Sequence, residues 1–289
     1  MKWQEISVTT PLEAGEAVAG LFYEAGAQGL VVEDKDGRVV LRGYLPRDET
    51  LKARLRDLQE GLKAIGRFFP GCRAELSSRS LEEEDWASAW KAYFKPLKIG
   101  RHLVVKPSWE EYSPLPGELV MELDPGMAFG TGTHPTTSMA LEMLEDLIEP
   151  GDVVYDVGTG SGILAIACAL LGARTVIAVD NDSVAVRTAR ENVKRNGLEG
   201  KVKVRKGDLL QGFPAGAHVV TANIVADVLL ALLPQAAGVL LPNGRLLLGG
   251  IIAPRAPELV AALGNHGFTV TEEKRRGDWV ALAAMKTKG

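Results

Sequence analysis

A short run near the middle of the chain combines a carboxylate with three glycines at alternate positions. Residues 153–157 (VVYDV) have the apolar character of a buried strand, and Gly158, Gly160 and Gly162 come directly after it. Glycine permits a sharp turn and a close approach of the backbone to a ligand. The amides that open the next helix would point at the same ligand, and Asp156 could face an ammonium group on it directly or through water.

Three more polar side chains follow apolar, strand-like segments later in the chain. They are Asp180, Asp208 and Asn223. Because the carboxyl ends of parallel strands meet at one edge of an open α/β sheet, we expect these side chains to line one cleft. Asp180 lies at the usual distance from the glycine loop for a carboxylate that binds ribose hydroxyls, and Asp208 could meet an adenine amine.

The spacing of the glycines separates two kinds of ligand. Dinucleotide sites carry G-x-G-x-x-G, whereas this loop reads G-x-G-x-G after an acid. It resembles the loop that binds S-adenosyl-L-methionine (AdoMet) in class I methyltransferases, so an oxidoreductase is disfavoured. The resemblance implies an α/β, Rossmann-like domain with a seven-stranded sheet, and residues 268–285 read as its closing antiparallel hairpin.

A second motif makes the resemblance closer. Residues 123–138 (LDPGMAFGTGTHPTTS) stand just before the glycine-loop strand. With Asp156, Asp180 and the TANI sequence at 221–224, this motif resembles the bacterial ribosomal protein L11 methyltransferase family. The D-W-x-x-x-W-K sequence at 85–91 is also similar to that family, and the resemblance covers essentially the whole chain.

The resemblance implies which residues bind AdoMet. Thr137, Gly158, Asp180 and Asn223 would be the core contacts, with the Thr137 hydroxyl near the methionine moiety and Asp180 accepting from both ribose hydroxyls. Further candidates for the same site are Phe129, His134, Asp156, Gly160 and Asp208. Packing within its own loop is an equal alternative for Phe129.

The implied reaction is in-line transfer of a methyl group from a sulfonium to an amine. The nucleophile must be neutral, and deprotonating a lysine with a pKa near ~10.4 costs roughly 4 kcal/mol at neutral pH. Asn223 is the catalytic candidate because its side-chain carbonyl could hold the neutral amine. Residues 224–226 (IVA) replace the prolines found here in glutamine and adenine amino-group methyltransferases, which predicts a more apolar channel. His134 is favoured as a loop-ordering or cofactor-contacting residue over a general base, so release of the proton to water is expected.

The chain separates into three regions. Residues 1–77 follow the order βαββαβ, which predicts a small α+β ferredoxin-like domain for substrate recognition, with a leucine stripe at 51–62 as its core. Residues 78–110 are predicted as a helical connector with aromatic residues on one face, and residues 111–289 as the AdoMet-dependent methyltransferase domain. The aromatic face either docks on a neighbouring domain or orients the first domain over the active site.

Composition narrows the class of protein. The chain has 289 residues, of which 46% are hydrophobic and 24% charged, as is ordinary for a soluble globular protein. Its net charge of −4 argues against nucleic acid as the main partner. Two cysteines and no long apolar segment predict neither a disulfide framework, a metal cluster nor a membrane span. We therefore expect a cytoplasmic monomer that binds no metal.

The family implies trimethylation of lysine side chains and of the N-terminal amino group of ribosomal protein L11. One alternative is an AdoMet-dependent methyltransferase of a different protein or of a small amine. Another is an RNA-binding module with a vestigial α/β domain. The glycine-loop and strand-end residues of the α/β domain are intact, which argues against a domain that has lost its function. The first region lacks the aromatic signature of RNA-binding sheets, which argues against an RNA-binding module.

Overall fold

The protein is described by a computed structural model that covers residues 3–11, 14–27, 30–35, 38–68, 75–81, 94–124, 132 and 134–287. It divides into two compact units, Met1–Phe94 and Lys95–Gly289. Phe129 and the aromatic face of the predicted connector, with Trp86, Trp90 and Tyr93, lie outside the described residues.

The first unit has the predicted βαββαβ order. Its elements are β1 (Trp3–Pro11), α1 (Gly15–Glu24), β2 (Leu30–Lys35), β3 (Arg38–Pro46), α2 (Leu51–Phe68) and β4 (Glu75–Leu81). The strands form one antiparallel sheet in the order β2-β3-β1-β4, which confirms the ferredoxin-like fold. Leu51, Leu58 and Leu62 of α2 are buried in its core with Phe22 and Leu41, so the leucine stripe is a core feature.

The second unit begins with a small sheet that the sequence analysis did not predict. It consists of β5 (Leu97–Ile99), β6 (Leu103–Lys106) and β7 (Leu119–Glu122). β5 and β6 pair antiparallel, and β6 and β7 pair parallel. The predicted helical connector at 78–110 therefore differs from the structure at both ends, because β4 runs to Leu81 and two short strands occupy much of 97–106. These strands have three or four residues, too few for their alternation to be read from sequence.

The large sheet of the second unit has seven strands. The elements that build it and cover it are α3 (Pro135–Leu147), β8 (Val153–Val157), α4 (Ile163–Leu170), β9 (Thr175–Asp180), α5 (Ser183–Arg195), β10 (Val202–Lys206), β11 (Ala217–Asn223), α6 (Ala226–Val239), β12 (Leu240–Ile252), α7 (Ala256–Asn265), β13 (Phe268–Arg276) and β14 (Trp279–Lys286). The strand order is β10-β9-β8-β11-β12-β14-β13. The first five are parallel, and β14 runs antiparallel to both its neighbours, which confirms the Rossmann-like sheet and its closing hairpin.

Helices cover both faces of this sheet, so its central strands are apolar on both sides. Along β8, Val154 packs with α3 and α4 in one buried cluster, while Tyr155 packs with α6 and α7 in the other. The chain passes from β8 to β9 on one side and later returns to β11 on the other. Such a switch of direction opens a crevice at the carboxyl ends of the strands.

Glu145 of α3 joins the small sheet to the large one. Its buried carboxylate accepts hydrogen bonds from the backbone amides of Arg101, His102 and Leu103 at 2.8, 2.6 and 3.1 Å. Arg101 also reaches the exposed Asp146. The turn between β5 and β6 is thereby held against the helix whose first residues enter the crevice.

Candidate active site

A cavity of about 590 Å³ lies at the carboxyl ends of the parallel strands of the second unit. Its walls come from the glycine loop after β8, the ends of β9, β10 and β11, the start of α3, and the β13–β14 hairpin. Seven predicted site residues line it: His134, Thr137, Gly158, Gly160, Asp180, Asp208 and Asn223. Asp156 does not line it, and Phe129 is outside the described residues.

The glycine loop needs its glycines for two reasons. Gly158 has φ +68°, and a Cβ there would lie 2.3 Å from the side chain of Ile224, just after β11. Gly162 has φ +85°, and a Cβ there would press on Ala189 of α5 at 3.2 Å. The loop can therefore pass close to a ligand while α4 begins directly behind it, with its free amides toward the crevice.

Asp180 at the end of β9 is held by backbone amides. Its Oδ2 accepts from the Gly160 amide at 2.9 Å, and its Oδ1 accepts from the Asp182 amide at 2.9 Å. A carboxylate oxygen has room for a second donor. Both oxygens are thus fixed in place at the cavity wall with acceptor capacity left for the hydroxyls of a ribose.

Asn223 at the end of β11 faces the start of α3. Its Nδ2 donates to Thr137 Oγ1 at 3.3 Å. Its Oδ1 is buried and has no hydrogen-bond partner among the described residues. Leaving a buried acceptor unpaired costs about 1–3 kcal/mol, so this wall is suited to a ligand that donates a hydrogen bond.

Asp156 differs from its predicted placement. Side chains alternate along β8, so Asp156 projects beneath the loop on the α3–α4 face of the sheet. There it is 1% exposed, and its Oδ2 accepts from Thr159 Oγ1 at 2.5 Å. In this structure it orders the loop through Thr159 and does not face the cavity.

The same burial changes the acidity of Asp156. Removal from water raises the pKa of its carboxyl group to about 7, and the nearby Asp180 adds to the rise. The hydroxyl of Thr159 and the amide of Ala165 act in the opposite direction.

His134 acts as the N-cap of α3. Its Nδ1 accepts from the Thr136 amide at 3.3 Å and lies 2.8 Å from Thr136 Oγ1. Its ring also meets the indole of Trp279 edge-on, with 5.0 Å between centroids and 71° between planes. These contacts agree with the predicted loop-ordering role better than with a general base.

The apolar side of the cavity was predicted from sequence only in part, because most of the residues that line it were not identified individually. Its lining beyond Asn223 is formed by Ile224, Val225, Val228, Gly250 and Trp279. We call Asn223 together with these five residues the acceptor half. Ile224 and Val225 belong to the segment predicted to form an apolar channel, whereas Trp279 is brought in by the pairing of β14 with β12.

Among the described residues, no three His, Cys, Asp or Glu side chains are grouped as ligands for a metal ion. In the same part of the chain, no helix is both long and apolar enough to cross a membrane.

Comparison with known proteins gives full-length matches. The family described as "Ribosomal protein L11 methyltransferase (PrmA)" matches residues 2–287. The ribosomal protein L11 methyltransferase of Pelotomaculum thermopropionicum is 48% identical, with 98% of this chain and 99% of that protein covered. The protein of the same name from Desulfitobacterium hafniense is 46% identical, with 98% of each covered. A crystal structure of a ribosomal protein L11 methylase from Lactobacillus delbrueckii is 34% identical in sequence to this chain, with a TM-score of 0.62. The matched region covers 68% of this chain and 100% of that protein.

Proposed function

Because this chain belongs to the ribosomal protein L11 methyltransferase family, we propose that it transfers methyl groups from AdoMet to amino groups of ribosomal protein L11. The acceptors are lysine side chains and the N-terminal α-amino group. The sulfonium is already a good leaving group, so the reaction calls for alignment and needs no metal.

The fit of AdoMet rests on the donor and acceptor set of the cavity. Asp180 offers two fixed carboxylate oxygens to the ribose, and we infer that Asp208, which follows β10 and lines the same cavity, meets the adenine amine. Gly158 and Gly160 allow the methionine moiety to lie against the loop, with Thr137 beside it. When bound, AdoMet supplies an electrophilic methyl group, and the chain's residues orient it.

The unpartnered Oδ1 of Asn223 carries the proposal for the acceptor. A neutral amine has hydrogens to donate, and the amide carbonyl accepts one of them while the nitrogen lone pair stays free for attack. The hydrogen bond from Nδ2 to Thr137 fixes the rotation of the amide, with its Oδ1 on the side of Gly249 in β12, away from Thr137.

The acceptor half also favours the neutral form of the amine. None of its described residues is ionisable, and an apolar lining lowers the pKa of a lysine by desolvation. The bond between nitrogen and the methyl carbon forms as the bond between sulfur and that carbon breaks, and sulfur keeps the electron pair. The proton of the amine passes to water.

We assign recognition of ribosomal protein L11 to the first unit, since the described cavity-lining residues all lie in the second. The net charge of −4 supports a protein partner over nucleic acid. We expect the enzyme to act in the cytoplasm as a monomer.

Mass spectrometry of purified ribosomal protein L11, incubated with this protein and AdoMet, tests the proposal. We expect mass gains in methyl steps, and an Asn223→Ala variant that is slower by about 100-fold, as for other lost transition-state hydrogen bonds. Thr137→Val should lose part of the rate and Thr137→Ser should keep it, since only valine lacks the hydroxyl.

If no mass gain is observed, calorimetry with AdoMet distinguishes a wrong substrate from a wrong cofactor. AdoMet binding without any mass gain would overturn the substrate and keep the chemistry, and the different protein or small amine named above would then be sought. Absence of AdoMet binding would overturn both.

A further inference from the structure

The β13–β14 hairpin brings an aromatic side chain to the cavity. β14 pairs antiparallel with β12, so that Trp279 lies opposite Ile252 and Val280 opposite Ile251. This register places the first residue of β14 at the same sheet edge as the carboxyl ends of the parallel strands. The indole of Trp279 lines the cavity there.

The strand order places Trp279 on the acceptor side. Asp180 and Asp208 end β9 and β10, on one side of β8, whereas β11, β12 and β14 follow on the other. With strands about 4.8 Å apart, β14 lies roughly 14 Å from β8 across the sheet. Trp279 is therefore far from the residues suited to the adenosine and lies beyond Asn223.

The chemistry of the acceptor half suits a methylated ammonium group. In the acceptor half, Trp279 is accompanied by aliphatic residues, Gly250 and the uncharged Asn223, while His134 contacts its ring, and Val225 and Val228 are exposed. A carboxylate in this place would hold an unmethylated, protonated lysine. An indole face attracts cations, and a methylated ammonium loses less hydration on reaching it than a bare one.

Resting on the function proposed above, we propose that Trp279 retains the mono- and dimethylated amine in the acceptor half, and so determines how many methyl groups each site receives. A partly methylated amine that stays bound while S-adenosyl-L-homocysteine leaves and a new AdoMet enters can lose its proton to water and be methylated again. One that is released leaves as an incomplete product.

The position of Trp279 is fixed by contacts with α3. Its ring rests against His134, and Arg276 in the same hairpin donates to Ser138 Oγ at 2.6 Å and to Glu142 at 2.9 Å. Lys274 also pairs with Glu142, at 3.3 Å. Arg276 is therefore a positioning residue that holds the hairpin, and with it the indole, against the start of the helix.

The hairpin contains its own control. Arg275 is adjacent to Arg276 and carries the same charge, but its Nε donates to the carbonyl of Gly277 within the turn. Removing either charge changes the net charge of the hairpin equally. Of the two arginines, Arg276 is the one whose side chain bonds to Ser138 and Glu142 of α3.

The test uses the full-length enzyme with ribosomal protein L11 and with peptides carrying one unmethylated or monomethylated target lysine. We expect Trp279→Leu to accumulate mono- and dimethylated product and to raise KM for the monomethylated peptide about tenfold, the value of one cation–π contact. KM for the unmethylated peptide and AdoMet affinity by calorimetry should change less than about twofold. Trp279→Phe should keep trimethylated product dominant.

Arg276→Gln should shift the products in the same direction as Trp279→Leu, while Arg275→Gln should match the unsubstituted enzyme. Product ratios and peptide KM values that are unchanged in Trp279→Leu would overturn the proposal. If Trp279→Leu fails to unfold cooperatively on heating, equal product ratios in the two arginine variants would overturn it instead. Failure of the unsubstituted enzyme to methylate ribosomal protein L11 would refute the proposed function, an outcome separate from these.

Discussion

Among single residues, Asp156 has the charge state that depends most on the fold. Its carboxyl group titrates near pH 7 in the folded protein and near ~3.9 in an unfolded chain. Between these values the folded state binds more protons than the unfolded state, so this group makes the free energy of unfolding fall as pH rises. Its burial therefore costs stability at and above neutral pH.

Replacing Asp156 by asparagine should remove this cost. We expect the free energy of unfolding of Asp156→Asn, relative to the unsubstituted protein, to rise by about 2–4 kcal/mol between about pH 4 and pH 8. Urea titration at the two pH values measures the difference. Glu199→Gln, at an exposed carboxylate of the same unit, is the control. An equal difference for Asp156→Asn at both pH values would contradict the prediction.

Gly158 offers a second prediction for a single residue. Alanine there would adopt an unfavourable positive φ and press on Ile224, which moves the loop out of its place at the cavity. We expect AdoMet affinity by calorimetry to fall at least about tenfold.

Gly197 is the matched control, because its φ is +66° and a Cβ there meets no atom within 4 Å. Gly197→Ala should cost about 1 kcal/mol of stability and leave AdoMet affinity unchanged. Similar losses of AdoMet affinity in both variants would contradict the prediction, because backbone strain would then lower the affinity wherever it occurs.

Among the elements, α3 depends on the buried carboxylate of Glu145. Burial by itself would raise the pKa of this group, but three backbone amides from the β5–β6 turn and the Arg101 side chain outweigh it and lower the pKa. A group with a lowered pKa in the folded state stabilises the protein above its unfolded pKa, and this contribution is lost as pH falls through the folded value.

We expect Glu145→Gln to lower the free energy of unfolding by about 2 kcal/mol at neutral pH. The difference should shrink as pH falls below the unfolded-chain value of about 4.3 and through the lowered pKa of the folded carboxylate. Asp146→Asn is the control, because this neighbouring carboxylate is 60% exposed and its ion pair contributes under about 1 kcal/mol. A pH-independent difference for Glu145→Gln would argue against the linkage.

The elements also show which structure could be predicted from sequence. The central strands β9 and β11 are largely apolar runs that end in a polar residue, and this pattern led to Asp180 and Asn223 at one edge. β5 and β6 were not predicted because they are too short to show an alternation of apolar and polar residues. Trp279 was not predicted as a site residue for a different reason: only the register of β14 on β12 shows that it reaches the cavity.

At the scale of the whole molecule, the cavity that we propose binds AdoMet is lined by described residues of the second unit. That unit has its own buried clusters on both faces of the large sheet and the described lining of the cavity. A shortened chain of residues 95–289 should therefore fold and bind AdoMet with an affinity within about threefold of the full chain.

The same shortened chain should methylate ribosomal protein L11 at least about 100-fold more slowly, because the first unit is assigned to substrate recognition. Its rate on a short lysine peptide should be nearly unchanged. Mass spectrometry of both substrates measures this, and full activity on ribosomal protein L11 would remove the assigned role from the first unit.

Only part of the candidate site could be predicted from sequence. Residues at strand ends and in the glycine loop were predictable, because their place follows from the direction of the chain through the sheet. The side of the sheet that Asp156 occupies follows from the alternation along β8, yet its depth below the loop depends on how α3 and α4 pack over it. Packing of that kind has no signature within a single segment of sequence.

The β13–β14 hairpin has a consequence for folding kinetics. Its strands are joined by a turn at Gly277 and Asp278 and can form within microseconds, whereas pairing of β14 with β12 joins Met285 to Arg245 and must wait for the rest of the sheet. The cavity wall is then completed in one late docking event. In the native protein, the backbone amides of β14 should exchange with solvent through the opening of that wall, so hydrogen exchange would measure the free energy of that opening.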